Sequence, residues 1–302
     1  MITDARATCL LALGVRSPGV EMADHDAAIA MTRKSWNEAT RAHNAHKGDQ
    51  ASALRAGNDP LFPEELGLLG DLTGRRLVHL QCNSGQDSLG LARRGATVVG
   101  VDLSDEAVSF ARTLSAESGI AATFVEAEVV RWMHTTDERF DLAFASYGAL
   151  GWIADLRAWM RGARRVLRPG GALVIVEFHP LVWSWAGGPD EVRPSGDDYF
   201  ADAPFVAPVG DYVAASGEGL GAPPSATPAT LTTPATSWQH TTAHILGAVI
   251  EAGLLLERVD EHPHANGCRV VDALVPGPGR TWTWPPSVAR TPLMLSLRAV
   301  AP

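Results

Sequence analysis

The stretch Leu77–Asp102, LVHLQCNSGQDSLGLARRGATVVGVD, constrains the fold of this chain more than any other. Its opening, Leu77–Leu80, is the apolar run of a strand buried on both faces. Small and polar residues from Gln81 to Asp87 make a turn. Leu89, Leu91 and Ala92 then keep helical spacing up to Arg93, Arg94 and Gly95, and a second apolar run, Thr97–Val101, ends on Asp102. Strand, turn, helix, strand and acid, in that order, make a βαβ unit of the nucleoside-binding kind. The turn aims backbone N–H groups and a helix N-terminus at a ligand. Asp102, at a strand's C-terminal end, is placed to accept hydrogen bonds from both hydroxyls of a ribose.

The alternation continues downstream. Ser104 reads as the N-cap of a helix running to about Ser118. Ala122–Val125 reads as a strand, Trp132 and Met133 as part of a short helix, Phe140–Ala145 as a strand and Leu150–Val166 as a helix. The turn Arg168-Pro169-Gly170-Gly171 leads to a fifth strand, Ala172–Phe178. Five strands alternating with helices imply a parallel sheet with right-handed crossovers. Upstream, Ala28–Lys47 has amphipathic helical spacing and Glu64–Leu69 forms a short helix. The expected organisation is a flexible extension at 1–30, without a signal peptide, a helical lid at 31–76 and the main domain at 77–302.

After Phe178 the pattern breaks. An insertion at about 180–236 is rich in Pro, Gly, Ala, Ser and Thr, with Trp183, Trp185, Tyr199, Phe200, Phe205 and Tyr212 embedded in it. A loop of this length is usually functional or disordered. The expectation is an aromatic half over the site, then a mobile tract at Ala214–Ala235. Ser237 is read as the cap of a helix Trp238–Ala252 ended by Gly253. Leu254–Val259 is a sixth strand, and Thr291–Val300, reached without a helix, is a last strand added antiparallel.

Composition excludes several classes. A net charge of −9 argues against a broad grip on nucleic acid. No apolar run approaches the ~18 residues of a membrane span. Cys9, Cys82 and Cys268 are scattered, with no CxxC pair, so a reducing, cytoplasmic setting is expected, with neither a disulfide framework nor a metal site. The expected partner is a small molecule. Oligomeric state is not legible, and a homodimer is left open.

With seven strands in this order, the sequence resembles the class I S-adenosylmethionine (SAM)-dependent methyltransferases. Within them it is most similar to a small-molecule, natural-product subgroup whose first motif reads LHLQCxxGxDTLxLAxxGAxVxGVDxS, here Val78-His79-Leu80-Gln81-Cys82-Asn83-Ser84-Gly85-Gln86-Asp87-Ser88-Leu89 through Gly100-Val101-Asp102-Leu103-Ser104. The likeness continues in Arg33-Lys34-Ser35-Trp36-Asn37-Glu38, Ala145-Ser146-Tyr147-Gly148, Leu167-Arg168-Pro169-Gly170-Gly171, Glu177-Phe178-His179-Pro180, Trp238-Gln239-His240-Thr241 and Pro292-Leu293-Met294. It implies an α/β, Rossmann-like seven-stranded sheet, mostly parallel with the last strand antiparallel and helices on both faces. It also implies S-adenosyl-L-methionine as cofactor and S-adenosylhomocysteine (SAH) as product. Gln81, Asn83, Gly85 and Asp87 stand where the wider family has DxGxGxG, so only the middle glycine survives. The missing glycines argue against a dinucleotide, whose pyrophosphate needs close backbone approach.

The resemblance assigns the ribose diol to Asp102 and the edge of the adenine to Leu103. Gly85 lets the chain pass close to the cofactor within the turn formed by Gln81, Asn83 and Asp87. Glu128 receives the adenine amino group, with the Val129 backbone beside it and Glu126 as the alternative acid. Ser146 and Tyr147 follow the fourth strand, near the methyl group. The (D/N)PPY signature of amino-methylating nucleic-acid enzymes is absent.

Methyl transfer from a sulfonium is a direct displacement, and a base is needed only where the acceptor carries a proton that must leave. His179, Glu177, His240 and Glu261 are candidates, Glu177 and His179 being two apart on one strand face. His79, inside the first strand, is read as a core histidine. Nine tryptophans are present. Trp152, Trp183, Trp185, Trp238, Trp282 and Trp284 lie in or beside presumed site loops, and Trp36, a packing residue of the first helix, can also close over a ligand. Together they point to a pocket for a flat, apolar acceptor such as an indole or another heteroaromatic, and to cation–π contact with the sulfonium. The expected function is methylation of such a metabolite in secondary metabolism. The alternative is a SAM- or nucleoside-binding regulator or partner subunit without transferase activity.

Overall fold

The structure, a computed structural model, describes residues 25–302. The expected extension at 1–30 lies largely outside them. The chain forms two compact units, one built from 49–177, 240–261 and 295–302, the other from the segment up to Gly48 together with 178–239 and 262–294. After α1 (His25–His46), which belongs to the second unit, the chain enters the first through α2 (Gln50–Arg55) and α3 (Pro63–Leu69). The segment 31–76, expected as one helical lid, is thus divided between the units.

The first unit is the βα alternation: β1 (Arg76–Leu80), α4 (Gln86–Arg93), β2 (Thr97–Asp102), α5 (Asp105–Ser118), β3 (Thr123–Glu126), α6 (Val129–Thr135), β4 (Phe140–Ser146), α7 (Leu156–Val166), β5 (Leu167–Phe178), α8 (Thr242–Glu251), β6 (Leu255–His262) and β7 (Met294–Val300). The seven strands lie in the order β6-β7-β5-β4-β1-β2-β3. β1 pairs in parallel with β2 and β4, β2 with β3, and β4 with β5. β7 is antiparallel to β5: the Gly170 N–H donates to the Ala301 carbonyl at 2.7 Å, and just past the other end of β5 the His179 N–H donates to the carbonyl of Leu293, the residue before β7, at 3.0 Å.

Side chains alternate faces along each strand, so the sheet builds two cores. Val78, Leu80, Val99, Val101, Leu173 and Ile175 pack with Met133, Trp159, Met160 and Val249 from α6, α7 and α8. Leu77, Val98, Leu142, Phe144, Val174 and Val176 pack on the opposite face with Leu68 and Leu69 of α3 and Leu91 of α4.

Capping explains most boundaries. The Ser104 hydroxyl accepts from the Ala107 N–H at 3.1 Å, as expected for α5. The helix expected from Leu150 is a 3₁₀ turn, Leu150–Trp152, after which α7 starts behind Asp155, whose carboxylate takes the Ala158 N–H at 2.8 Å. Ser237 lies in a strand, and Thr241 caps α8 by accepting from the His244 N–H at 3.1 Å. β7 begins at Met294, beyond Pro292, which has no N–H to give a ladder.

The second unit is built on α1. Its neighbour is the strand Pro234–Ser237, antiparallel to Phe205–Pro208. Ser35 Oγ donates to the Thr233 carbonyl at 2.6 Å and accepts from the Val209 N–H at 3.2 Å. The tract 214–235, expected to be mobile, is built into this framework: the Ala229 N–H donates to Asp211 Oδ2 at 2.8 Å, and His46 Nε2 lies 2.8 Å from the same atom. Cys82 is a free buried thiol. Cys268 is disulfide-bonded, where no disulfide was expected; Cys9 lies outside the described residues. Among the described residues no helix is long and apolar enough to cross a membrane.

Candidate active site

The strand order turns back between β1 and β4, and ligands of open α/β sheets bind beyond the strand ends at such a point. The turn leaving β1 is unusual in its backbone: Gln81, Asn83 and Gly85 have φ of 58°, 49° and 80°. Left-handed non-glycine residues persist only where their surroundings over-determine them. Here the Gln81 side chain donates to the Ala149 carbonyl at 2.7 Å and accepts from the Trp159 indole N–H at 3.1 Å. Asn83 Oδ1 accepts from the Ser84 N–H at 2.6 Å.

Asp102 ties this turn to the one after β2. Its Oδ2 takes the Asn83 N–H at 2.7 Å and its Oδ1 the Ser104 N–H at 2.9 Å. Burial raises the pKa of the carboxyl, against the pull of backbone hydrogen bonds from Ser104, Asn83 and Leu103. The residue is half-buried. With these backbone N–H groups on it the carboxylate still has acceptor capacity left, so the geometry can take a hydroxyl of a ligand.

Gly85 has a packing reason for being glycine. It caps α4 in the left-handed conformation, and a Cβ there would lie 2.7 Å from Ala111 Cβ and 2.8 Å from the Phe124 ring. Gly85→Ala is expected to lower stability by about 2–4 kcal/mol, from overpacking plus the left-handed penalty, read as a lower urea midpoint at unchanged slope.

Glu128 caps α6, its two oxygens taking the Val130 N–H at 2.9 Å and the Arg131 N–H at 2.6 Å. Val129 is buried behind it, Leu103 is half-buried, and Glu126 is exposed at the end of β3.

At the exit of β4, Ser146 Oγ lies 3.5 Å from His79 Nε2, and His79 Nδ1 lies 2.9 Å from Ser88 Oγ. His79 is a buried core residue, and burial depresses its pKa to about 3. In the unfolded chain this imidazole takes a proton near pH 6.5, so its contribution to stability is complete above that pH and lost as the pH falls. Going from pH 7 to pH 5 should remove about 2 kcal/mol through this group. Urea titrations at the two pH values, with His79→Gln showing the shallower dependence, check it.

The next residues bend sharply. Tyr147 and Gly148 both have positive φ, 46° and 85°, and the Tyr147 N–H donates to the Val176 carbonyl at 2.8 Å. Glu177 holds the bend: its buried carboxylate accepts from the Gly148 N–H and, at 3.0 Å, from the Leu150 N–H. The Tyr147 ring stands edge-on to Phe62 at 6.1 Å. Close by is Glu65, fully buried, which no sequence expectation singled out. Its signal was its position three residues after Phe62, whose N–H it caps at 3.1 Å.

Of the remaining candidate bases, His240 in the same unit donates from Nε2 to the Ile153 carbonyl at 2.8 Å, and burial lowers its pKa. Asp87 sits in the first turn of α4, Trp152 is half-buried in its 3₁₀ turn, and Glu261 is exposed near the end of β6. His179 belongs to the second unit, where its Nδ1 accepts from the Leu181 N–H at 3.1 Å. That unit also holds Trp36, edge-on to Tyr212 at 6.4 Å, Trp183 against Phe178 at 6.4 Å, Trp185 against Trp284 at 6.0 Å, and the half-buried Trp238. The structure thus gathers Gln81, Asn83, Asp102, Ser146 and Tyr147 at the strand ends of one unit, with His179 and most of the tryptophans in the other.

A seven-stranded sheet in this order, with its last strand reversed, is the Rossmann-like fold of class I methyltransferases. Residues 78–171 match the model of a methyltransferase domain. The chain is 31% identical over 106 residues to a ubiquinone biosynthesis O-methyltransferase of Alkalilimnicola ehrlichii, covering 35% of this chain and 42% of that protein. It is 30% identical over 136 residues to the enzyme of the same name from Methylobacterium sp., covering 45% and 51%. The chain spans about half the length of these curated relatives. In fold it is similar to a SAM-dependent methyltransferase of Mesorhizobium loti, at 22% identity and a TM-score of 0.53, over 82% of this chain and 99% of that one.

Proposed function

We propose that the protein transfers a methyl group from SAM to a small acceptor, an aromatic or heteroaromatic metabolite, by direct displacement. The observation that carries this reading is Asp102, which joins the turns after β1 and β2 and keeps acceptor capacity beyond its backbone partners. The turn backbone from Gln81 to Gly85, Asp102, Leu103, Glu128 and Val129 would hold the nucleoside and methionine parts. Bound there, SAM supplies a methyl group on a positively charged sulfur.

The chain's own part is alignment. Fixing two reactants in line can provide about 7–11 kcal/mol of the barrier. The left-handed pair Tyr147–Gly148, pinned by Glu177, sets one wall beside the strand ends. Glu177 and His179 each have acceptor atoms engaged by backbone N–H groups. Tyr147 is the group at this bend whose hydroxyl can meet a proton leaving the acceptor. An aromatic acceptor is supported by the tryptophans, and the relatives' name places O-methylation in ubiquinone biosynthesis, which is consistent with an acceptor oxygen.

Incubation with methyl-labelled SAM and pools of indoles, phenols and saturated polar metabolites tests the reading. Label is expected in the aromatic pools. Label in the saturated pool alone removes the aromatic assignment, and tight SAH binding with no product from any pool favours a SAM-binding regulator.

A further inference from the structure

We propose that Glu65 is a positioning residue for Tyr147, its carboxyl fixing the phenol hydroxyl at the end of β4. This rests on the methyl-transfer reading, in which that hydroxyl faces the acceptor. Glu65 stands at the third position of α3, and one of its oxygens, Oε2, caps the helix in the ordinary way by taking the Phe62 N–H at 3.1 Å. Capping does not require burial, as such an acid works at an exposed helix end. Glu65 is nonetheless fully buried, and its Oε1 has no hydrogen-bond partner among the described residues. A buried carboxyl oxygen left unsatisfied is expensive. The side chain that steadies the charge on this carboxyl is Tyr147, and the acid whose charge opposes it most is Asp87, with Glu64 after it.

The protonation state follows from these surroundings. Burial is the largest influence and raises the Glu65 pKa well above the ordinary carboxylate value; the charge of Asp87 raises it further, while Tyr147 and the Phe62 N–H oppose. Burial and the Asp87 charge both favour the neutral acid over the carboxylate. A neutral carboxyl cannot take the acceptor's proton, but it both accepts and donates hydrogen bonds. With Oε2 on the Phe62 N–H, a proton on Oε1 supplies that oxygen with a donor to turn toward the phenol. The arrangement steadies a tyrosine already held at a positive φ.

Glutamine reproduces this chemistry: one oxygen for the Phe62 N–H and an NH₂ toward Tyr147. The chain has three tyrosines, so ultraviolet titration of phenolate formation, with Tyr147→Phe as the reference, isolates Tyr147. Glu65→Leu is expected to move the Tyr147 midpoint by about one pH unit or more. Glu65→Gln should restore it to within about half a unit of the unmodified protein. Equal Tyr147 titrations in the Leu variant and the unmodified protein overturn the proposal. So does a Gln variant as displaced as the Leu variant, which would mean that the anion matters. Calorimetry with SAH on the unmodified protein separates the two readings: no SAH binding sinks methyl transfer and the role with it, whereas SAH binding with an unmoved Tyr147 sinks the Glu65 role alone. Urea denaturation of both variants identifies a Leu variant that fails to fold, in which case Glu65→Met, closer to glutamate in length and equally without a hydrogen-bonding carboxyl, is titrated in its place.

Discussion

Asp102→Ala is expected to weaken SAH binding by a factor of about 10² to 10³. The carboxylate would meet two ribose hydroxyls, and hydrogen bonds to a charged acceptor contribute about 1.5–3 kcal/mol each. The substitution also frees the Asn83 and Ser104 N–H groups that the carboxylate now holds, so part of the loss comes from a loosened turn. Asp102→Asn separates the two parts: it keeps an acceptor oxygen and the shape while removing the charge, and a loss of about tenfold is expected. Because burial lifts the Asp102 pKa above its usual value, SAH affinity should fall as the pH is lowered through that raised value. Calorimetric titration with SAH at several pH values reads all three effects. Unchanged affinity in Asp102→Ala would remove the nucleoside site from the end of β2.

Glu177→Leu is expected to lower stability by about 2–5 kcal/mol. The leucine fills the volume but strands the Gly148 and Leu150 N–H groups in a buried place, and each unsatisfied group carries about 1–3 kcal/mol. Glu177→Gln, with one acceptor oxygen left, should lose about half as much. Urea denaturation checks both. If Glu177→Leu denatures like the unmodified protein, the Gly148–Leu150 bend does not depend on this carboxylate.

The parts legible in the sequence were the periodic ones. Leu77–Leu80 and Thr97–Val101 announce buried strands by residue type alone, and the strands and helices of the sheet unit follow from the same local signals. Boundaries set by caps were harder, because Ser237 and Thr241 are equally good cap residues and only tertiary structure selects Thr241. The site was legible in outline through Asp102 and the turn before it. What could not be read was how each acid is used. Glu177 looks like a base by its place on a strand end, yet its oxygens hold a loop distant in sequence. Glu65 looks like an ordinary helix-start acid, and nothing local reveals that a tyrosine following β4 lies against it. Gly85 reads as a turn glycine, while the atoms that exclude a Cβ come from α5 and β3. Long-range packing decides these roles, and a single sequence does not display it.

The position of β7 also bears on the order in which the sheet can assemble during synthesis. β2 finds β1 already made, β3 finds β2, β4 finds the free side of β1, and β5 finds β4, so five strands can add one at a time as the chain emerges. β6 has no such neighbour, because its place in the sheet lies beyond β7, which is made later. The sixth strand therefore has no place in the sheet until the seventh has been made.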